Sequence, residues 1–305
     1  MIWSLSSEEL AALCTPSILF LCRRYSFFRA NFAPPQDVSN RLIINRIGKC
    51  LCLSNIKMIS KNRLKYLVSL KQKKYRQKYG HFLVEGEKSV LELLHSDFNV
   101  NEIIADGKWL AENGEKFSNF SIEEVEPEQL AKISYFSSPS PICAVAEIKA
   151  NEKDIHPGKG WTIALDGIKD PGNLGTIIRT ADWYGIEKVF CSSDCVEFYN
   201  PKVISSTMGS FTRLQPQYGD LTEFLAKSKN VMACVLGGRN IRTVEHKTSG
   251  VILIGSESHG ISEDILKLEH INKVTIPGAG SAESLNAGIA TAIACERLIP
   301  SVDQN

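Results

Sequence analysis

The sequence predicts an α/β protein with two consecutive domains, the second of which contains a parallel β-sheet. The chain has 305 residues, a length that favours two domains. Apolar segments of strand length alternate with helical segments over residues 64–148 and again over 161–297. Strands of the second series are apolar without alternation and end in glycine or polar residues. This pattern is typical of parallel sheets that carry a site at their carboxyl edge.

The composition indicates a globular protein and does not by itself indicate a partner. Apolar residues make up 43% of the chain, charged residues 23%, and the formal net charge is +1. No apolar run is long enough to span a bilayer, so we expect no membrane association. The charge is unevenly distributed, however. Between Asp37 and Glu85 there are 12 basic residues and no acidic one, a block that often binds a polyanion, with a solvated helix face as the alternative.

The nine cysteines indicate free thiols in a reducing compartment, and we therefore expect a cytoplasmic protein. Their number is odd, their spacing is irregular, and those in the second half of the chain lie mostly in apolar runs. Cys50-x-Cys52 and Cys191-x3-Cys195 lack a second Cys/His pair at zinc spacing. We therefore expect no metal site.

Residues 1–57 differ from the remainder of the chain. The apolar run at 17–22 is short, and Arg23-Arg24 follow it instead of preceding it as they would in a secretory signal. Two interpretations stay open: a transit peptide, or translation that naturally starts at Met58. We favour the second, and expect residues 1–57 to be disordered or poorly packed. A native mass that includes Met1 would contradict this interpretation.

Residues 58–150 are predicted to form a small α/β domain. Its first helix is amphipathic, with apolar residues from Leu64 to Leu70 opposite a basic face. The predicted strands that follow are 82–84, 100–105, 120–125 and 142–148, and the helices between them are 86–95, 106–113 and 127–134. Tyr75, Tyr79 and His81 are interleaved with the basic residues, which suits RNA contact by stacking and phosphate pairing. The residues predicted to contact RNA are Lys71, Lys73, Lys74 and Arg76.

Residues 151–159, which are polar and include Pro157 and Gly158, are predicted to be a linker to the second domain at 160–305. The predicted strands of that domain are 162–165, 188–191, 231–236, 251–254 and a strand that ends at 274–276. Its predicted helices are 174–184, 200 to about 208, 221–227 and 287–297. Because the strands are apolar on both faces, we expect helices to cover both sides of the sheet.

Polar blocks follow three of these strands. Residues 165–181 read Leu-Asp-Gly-Ile-Lys-Asp-Pro-Gly-Asn-Leu-Gly-Thr-Ile-Ile-Arg-Thr-Ala, residues 254–262 read Ile-Gly-Ser-Glu-Ser-His-Gly-Ile-Ser, and residues 276–286 read Ile-Pro-Gly-Ala-Gly-Ser-Ala-Glu-Ser-Leu-Asn. Alone, the third block is equally well explained as an ordinary strand–loop–helix connection with Ser284 as the helix cap. Together, the blocks indicate one site at the carboxyl edge of the sheet.

In order and content, the three blocks resemble the motifs of the SpoU/TrmH family of RNA ribose 2′-O-methyltransferases, within the SPOUT superfamily. The resemblance covers roughly residues 160–297. The domain before it is similar to the substrate-binding domain, with a ribosomal-protein-like fold, that often precedes the methyltransferase domain in this family. The resemblance implies a parallel sheet whose C-terminal segment forms a trefoil knot, a rare exception to the unknotted chain. It also implies S-adenosylmethionine as the cofactor, bound in the knot, and a homodimer.

The resemblance also implies roles for single residues. Those expected to contact the cofactor are Gly255, Ile276 and Leu285. The family's arginine, here Arg179, has been assigned as the base, but a guanidinium group holds its proton very tightly. We therefore expect Arg179 to clamp the target phosphate and to stabilise the developing alkoxide.

Four further polar residues of the motifs are expected to support Arg179. Asn173 is expected to cap its helix and to orient Arg179 or the RNA, and Glu257 to hold these side chains or the ribose. Ser284 and Asn286 are expected to hydrogen-bond the same network and the phosphate. We do not expect Ser284 to act as a nucleophile, because no acid or histidine stands at a recognisable spacing to activate it.

The favoured function is therefore methylation of a ribose 2′-hydroxyl in ribosomal RNA, with transfer RNA as the alternative substrate. A different class is a non-catalytic RNA-binding or ribosome-assembly factor of the same fold. All five polar motif residues are present, which argues against a factor that has lost catalytic activity. A nicotinamide-dependent enzyme is disfavoured, because no G-x-G-x-x-G follows the first strand of either domain.

Overall fold

The computed structural model describes residues 43–44, 50–51, 59–117, 120–150, 156–157 and 159–300. The chain forms two compact units, Met1–Asn55 and Ile56–Asn305. In the first unit, strands β1 (Ile43–Ile44) and β2 (Cys50–Leu51) pair antiparallel. Apart from these strands, the prediction for residues 1–57 falls outside the described residues, as does most of the predicted linker.

The first domain is built on a four-stranded sheet with the strand order β3-β6-β4-β5. Its strands are β3 (His81–Glu85), β4 (Val100–Asp106), β5 (Glu123–Val125) and β6 (Ile142–Glu147). Its helices are α1 (Lys61–Ser69), α2 (Lys73–Tyr79), α3 (Glu87–Leu94), α4 (Gly107–Asn113) and α5 (Pro127–Ile133). β6 pairs antiparallel with both β3 and β4, whereas β5 pairs parallel with β4. The alternation predicted for this domain is confirmed, although β5 begins at residue 123 instead of 120.

The basic segment at the start of this domain forms two helices. Ser60 caps α1, since its side chain accepts the backbone N–H of Arg63 at 3.3 Å. Leu67 and Leu70 are fully buried, as the amphipathic pattern predicts. The sequence-based assignment did not include α2, which follows a short turn and ends at Gly80 in the left-handed conformation, with φ 69°.

The second domain contains a six-stranded sheet in which every pair of neighbouring strands is parallel. Its strands are β7 (Trp161–Asp166), β8 (Lys188–Ser192), β9 (Gln217–Gly219), β10 (Val231–Asn240), β11 (Gly250–Gly255) and β12 (Ile271–Thr275). They lie in the order β12-β10-β11-β7-β8-β9. Its helices are α6 (Pro171–Trp183), α7 (Pro201–Ser206), α8 (Leu221–Ala226), α9 (Glu263–Leu266) and α10 (Ala287–Leu298). The parallel α/β fold is therefore confirmed, and β9 and α9 are additions to it.

Helices cover both faces of this sheet, as the apolar strands predict. Alternate residues of β11 point to opposite sides: Ile252 belongs to the core beneath α6 and α10, and Leu253 to the core beneath α8. In the second core, the rings of Phe190 and Phe224 stack with centroids 4.1 Å apart. All four side chains are at most 1% exposed, so the sheet has no solvated face at these positions.

Two features at the carboxyl edge of the sheet differ from the predicted bounds. α6 begins at Pro171, three residues before the predicted start. β10 extends to Asn240, and its register against β12 shifts between Cys234 and Arg239, so that Val235–Gly238 bulge out of the ladder. Both differences lie at the carboxyl ends of strands, next to the loops that follow them. The knot implied by the family resemblance stays a prediction.

Candidate active site

Three loops meet at the carboxyl edge of the large sheet because the strands that precede them are close neighbours. β11 pairs with β7, with Gly255 opposite Asp166, and β10 separates β11 from β12. The loops after β7, β11 and β12 carry the first, second and third sequence blocks. Since the strands are parallel, the fold brings the three blocks to one edge, as the sequence predicts.

Side chains from the three blocks form one hydrogen-bonded cluster. Asn173 is only 8% exposed, and its amide Nδ2 donates to Oε1 of Glu257. Its Oδ1 accepts from Nδ2 of Asn286 at 2.8 Å. Oδ1 of Asn286 in turn accepts the backbone N–H groups of Gly288 at 2.9 Å and Ile289 at 3.3 Å. The amide of Asn173 is thus donor to the second block and acceptor for the third.

The helix caps at this site differ from the predicted ones. Asp170 caps α6, because its Oδ1 accepts the backbone N–H of Asn173 at 2.9 Å. Pro171 occupies the first helical position, which it favours, and so places the cap at residue 170. The prediction that Asn173 caps the helix is therefore wrong, and its side chain is left free for the cluster. Likewise Asn286, not Ser284, caps α10.

Arg179 and Ser284, which are predicted for the same network, do not join this cluster. Arg179 is exposed, and its side chain has no hydrogen bond or ion pair with another described residue. It follows Asn173 by six residues, about 9 Å along the helix axis and on a different face. Ser284 is exposed in the loop before α10. Both side chains are accessible to a substrate, and their catalytic roles stay predictions.

Asp166, at the end of β7, anchors the second loop. Its buried carboxylate oxygen Oδ2 accepts the backbone N–H of Ser262 at 2.7 Å and the hydroxyl of Ser262 at 2.6 Å. The loop before Ser262 closes on itself through backbone hydrogen bonds in both directions between Ser256 and Gly260, at 3.1 and 2.9 Å. Glu257 stands on this closed loop. Asp166 therefore fixes the loop that presents Glu257 to the cluster, a role that the sequence motifs alone did not assign to it.

The residues predicted to contact the cofactor lie on the loops around the cluster. A side chain at Gly255 would come within 2.1 Å of the backbone carbon of Gly260, so only glycine allows the loop to close. Ile276 is half-buried against the core, and Leu285 is 46% exposed. These three positions border the same edge of the sheet. Their predicted role stays a prediction.

The bulged segment of β10, Val235–Gly238, belongs to the same edge and is absent from the predicted site. β10 lies between β11 and β12, so its bulged segment stands between the second and third blocks. Leu236 on this segment is 76% exposed, and Gly237 adopts φ 74°. The sequence signal was an apolar strand that ends in two glycines. Adenine and a methionine tail require apolar surface and main-chain donors and acceptors. Leu236, Leu285 and the surrounding loop backbone supply both, so the residues fit S-adenosylmethionine.

The basic helix α2 presents an exposed cationic face. Lys73, Lys74 and Lys78 are exposed. The rings of Tyr75 and Tyr79 stack with centroids 6.2 Å apart, and the ammonium groups of Lys74 and Lys78 lie 6.0 and 5.4 Å from these rings. Aromatic and cationic groups therefore share one surface, as expected for a site that binds RNA.

The prediction that Arg76 contacts RNA is wrong. Its side chain is 2% exposed, and Nη1 donates to the backbone carbonyls of Leu70 and Lys71 at 2.9 Å each. Its Nη2 donates to Oε2 of Glu197 at 2.5 Å. Because Glu197 lies 121 residues further along the chain, no local pattern indicates this pairing. Lys71 is half-buried in the turn before α2, so only part of the predicted set is freely accessible.

Two polar contacts near the first block lower the pKa values of Asp194 and Cys195. A hydrogen bond from Lys169, 2.7 Å long, lowers the pKa of Asp194. Hydrogen bonding with Cys191 lowers the pKa of Cys195 to about 7, and burial raises the pKa of Cys191. Both thiols are buried and free. They pack behind the site and take no part in the cluster.

Among the described residues, no group of three or more histidine, cysteine or acidic side chains is arranged to hold a metal ion. No helix within the described ranges is long and apolar enough to cross a membrane.

Two family models match the chain. Residues 160–296, which include all three blocks, match the SpoU rRNA Methylase family. Residues 61–144, which include α2 and all of the smaller sheet except the end of β6, match the MRM3-like substrate binding domain. The two matches follow one another along the chain in the same order as the two sheets.

Known proteins are similar over both domains. The structure of a protein described as an RNA methyltransferase of the TrmH family, from Porphyromonas gingivalis, is 33% identical with a TM-score of 0.67, covering 80% of this chain and 99% of that one. The AdoMet-bound rRNA methyltransferase from Sinorhizobium meliloti is 28% identical with a TM-score of 0.68, covering 79% and 96%. The 23S rRNA (guanosine(2553)-2′-O)-methyltransferase RlmP of Bacillus subtilis is 28% identical over 248 residues, which are 79% of this chain and 97% of that protein.

Proposed function

The chain belongs to the SpoU family of RNA methyltransferases and is an S-adenosylmethionine-dependent RNA ribose 2′-O-methyltransferase; we propose that ribosomal RNA is its substrate. The observation that carries the methyltransferase activity is the Asn173–Glu257–Asn286 cluster, which joins the three family motifs at one edge of the sheet. The choice of ribosomal RNA rests on the first domain and on the similar proteins. Asn173 at the centre of the cluster is nearly buried, whereas Glu257 and Asn286 are exposed, so the polar groups of the cluster can reach a bound ribose.

Methyl transfer to a ribose hydroxyl needs little covalent help from the protein. Bound S-adenosylmethionine supplies a methyl group that its sulfonium already activates. The protein has to hold the 2′-hydroxyl in line with that group and to stabilise the oxygen as it loses its proton. We assign cofactor binding to the loops at Leu236, at Gly255 and at 276–285, and placement of the ribose to the Asn173 cluster.

Arg179 supplies the charge that the RNA backbone requires. Its guanidinium is exposed and unpaired among the described residues, and the planar group can bind two phosphate oxygens at once. It therefore clamps the phosphate of the target nucleotide and stabilises the developing alkoxide. Ser284, exposed two residues before Asn286, contributes a hydroxyl donor to the same phosphate.

Ribosomal RNA is favoured over transfer RNA by the first domain and by the similar proteins. Residues 61–144 match a substrate binding domain. The match to each of the two named ribosomal RNA methyltransferases extends over nearly the whole length of that protein. Mapping ribose methylation in RNA from a deletion strain tests the proposal, and we expect loss of a 2′-O-methyl group from ribosomal RNA alone. Loss from transfer RNA would support the alternative substrate. Unchanged methylation with defective ribosome assembly would support a non-catalytic factor.

Replacing Lys73, Lys74 and Lys78 together with alanine is expected to weaken RNA binding and to flatten its salt dependence. Each lost phosphate contact lowers the slope of log K against log salt by about 0.7–0.9, so the slope should fall by roughly 2 to 3. Binding of ribosomal RNA measured at several KCl concentrations gives this slope. The matched control removes three exposed lysines of the second domain, Lys229, Lys247 and Lys267. Equal slopes for the α2 variant and the wild type would show that RNA binds to a different surface of the protein.

We propose that the protein is a homodimer through α6 and α10. Trp183 is 83% exposed, Ile289 54% and Ile293 37%, although large apolar side chains are normally buried. The two helices pack closely, since a side chain at Gly288 would lie 2.9 Å from Thr176. Their exposed apolar residues therefore form a patch of the kind that a second copy covers. Trp183 follows Arg179 by one helical turn, so the contact would border the site.

An Ile289→Lys variant is expected to be monomeric where the wild-type protein is dimeric, because burying an unpaired ammonium group in an apolar contact is costly. Sedimentation velocity at micromolar concentration measures the state of each. Ala226→Lys, at an exposed position of α8 on the opposite face of the sheet, is the control and should stay dimeric. A monomeric wild type, or a dimeric Ile289→Lys variant, would contradict this interface.

We place the enzyme in the cytoplasm, where ribosomal RNA is modified and where its thiols remain reduced. The five cysteines within residues 59–300 are free, which supports a reducing compartment. Cell fractionation tests this location. Recovery in an organelle would instead favour the transit-peptide interpretation of residues 1–57.

A further inference from the structure

The two domains share one hydrophobic core. Phe82 and Phe98 belong to the first domain, and Tyr199 and Phe211 to the second. The ring centroids of Phe82 and Tyr199 are 4.6 Å apart, and those of Phe98 and Phe211 are 6.0 Å apart. All four side chains are at most 9% exposed. Aromatic contacts of this kind resist sliding because the rings interlock with specific geometry, so the domains meet in one defined arrangement.

A buried ion pair fixes helix α2 within that arrangement. Around the axis of α2, Lys73, Lys74 and Lys78 fall within an arc of about 140°, and Arg76 lies outside that arc, about 130° from its middle. Arg76 is buried there, where it binds Glu197 of the second domain and two backbone carbonyls of its own domain. The buried side of α2 is therefore attached to the second domain, and the attachment sets the direction in which the basic side faces.

A second contact joins the domains at the far end of α6. Nη1 of Arg213 donates to Oε2 of Glu92 on α3 at 2.6 Å. Its Nε and Nη2 donate to Asp182 at 2.8–3.2 Å. Asp182 lies in the last turn of α6, three residues after Arg179. One arginine therefore connects the first domain to the helix that carries both Asn173 and Arg179.

We propose that the Arg76–Glu197 and Arg213–Glu92 contacts hold the basic face of α2 at one fixed position relative to Arg179, and that this fixed spacing selects the nucleotide that is methylated. The proposal rests on the RNA methyltransferase function given above. Arg76, Glu197, Arg213 and Glu92 act as positioning residues, because they are engaged with one another and leave RNA contact to the lysines and Arg179.

A fixed spacing gives selectivity without contacts to the target base. RNA that binds the lysines of α2 by its backbone presents to the active site only those riboses that lie at the matching distance. If the domains were loose, several neighbouring riboses would reach the site, and each would spend less time aligned with the methyl group. Loosening should therefore broaden the choice of nucleotide and weaken productive RNA binding, while cofactor binding is unaffected.

The experiment compares the full-length wild-type protein with Glu197→Gln and Glu92→Gln. The first removes the negative charge that pairs with Arg76, and the second removes the negative charge that Arg213 meets in the first domain, while Asp182 remains bound. The amide oxygen of glutamine can still accept a hydrogen bond, so each contact is weakened by the loss of its ion pair. Glu187→Gln, at an exposed acid with no ion pair among the described residues, is the control. The probe is deproteinised ribosomal RNA from a deletion strain. Methylated riboses are mapped by their resistance to alkaline hydrolysis, and cofactor affinity is measured by calorimetry.

We expect both Glu197→Gln and Glu92→Gln to methylate riboses next to the wild-type position and to raise KM for this RNA by about tenfold, with the Kd for S-adenosylmethionine unchanged. Glu187→Gln should match the wild type. Methylation confined to the wild-type ribose with unchanged KM in both variants would overturn the proposal. So would a fall in kcat and cofactor affinity in both without any change of position, since that is the signature of simple destabilisation. A wild-type protein that methylates no ribose in this RNA would contradict the proposed function, and this proposal with it.

Discussion

Replacing Arg179 with alanine is expected to lower the rate of RNA methylation by about 10²–10³-fold or more while S-adenosylmethionine still binds. The reason is that Arg179 stands on the exposed side of α6, apart from the cofactor loops, and its guanidinium is unpaired among the described residues. It is available to the phosphate and to the oxygen that becomes negative during transfer. Single-turnover transfer of a radiolabelled methyl group to ribosomal RNA measures the rate, and calorimetry measures cofactor binding.

Two further variants sharpen this result. Arg179→Lys keeps the charge and loses the planar pair of donors, so it should recover part of the rate. Lys229→Ala removes an exposed cation just before β10, at the amino edge of the sheet, and should behave as the wild type. If Arg179→Ala lost cofactor binding together with activity, Arg179 would belong to the cofactor site instead. Full activity of Arg179→Ala would show that Arg179 has no catalytic role.

The site divides into a hydrogen-bonded part at the edge of the sheet and a second part that the substrate completes. Asp166 and the Asn173 cluster are tied by hydrogen bonds at strand ends and helix starts, where the backbone is already fixed. Arg179, Ser284 and the lysines of α2 are exposed. Preorganised groups are suited to align a ribose with a methyl group, because they need no rearrangement during the reaction. Exposed cations are suited to capture a polyanion from solution.

Local patterns predicted the features that depend on near neighbours in sequence. The apolar strands at 162–165 and 251–254, the strand that ends at 274–276, and the polar blocks after them were enough to place three loops at one edge, because parallel strands have only one carboxyl edge. The pattern also placed a helix after Pro171-Gly172. It misplaced the cap, since Asn173 and Asp170 both have side chains that can cap a helix. Only the folded backbone shows that Asp170 caps and that Asn173 turns inwards to Glu257.

Features that depend on distant residues were not predictable in this way. Arg76 belongs to a basic block, and its sequence neighbours gave no reason to separate it from Lys73 and Lys74. Its burial follows from Glu197 in the other domain. Similarly, the exposed Leu236 became part of the site only once the strand order placed β10 between β11 and β12. In both cases the deciding contact is set by how the sheets are ordered and packed, which periodicity does not encode.

Replacing Asn173 with aspartate is expected to lower the methylation rate by about 10²-fold or more. The new side chain has nearly the same shape but can only accept hydrogen bonds when ionised. It would lose the bond to Glu257 and place a second carboxylate against it in a nearly buried position, a loss that costs about 1–3 kcal/mol of stability. Two carboxylates that share a site raise the pKa of one of them. The variant should therefore regain activity in part as the pH is lowered, because one shared proton restores a donor between the two groups.

The control for this prediction is Asn99→Asp in the first domain. Asn99 also donates its amide Nδ2 to a carboxylate, that of Glu147, at 3.1 Å, but the pair is exposed. Water screens the added charge there, so the free energy of unfolding and the methylation rate should change little. Pre-steady-state rates between pH 5.5 and 8.5, read together with thermal unfolding of both variants, separate catalysis from stability. Equal rates for Asn173→Asp and the wild type would show that the amide of Asn173 is not needed as a donor to Glu257. A cluster with that property would serve only to hold the three loops together, and placement of the ribose would then have to come from Ser284 and Arg179 alone.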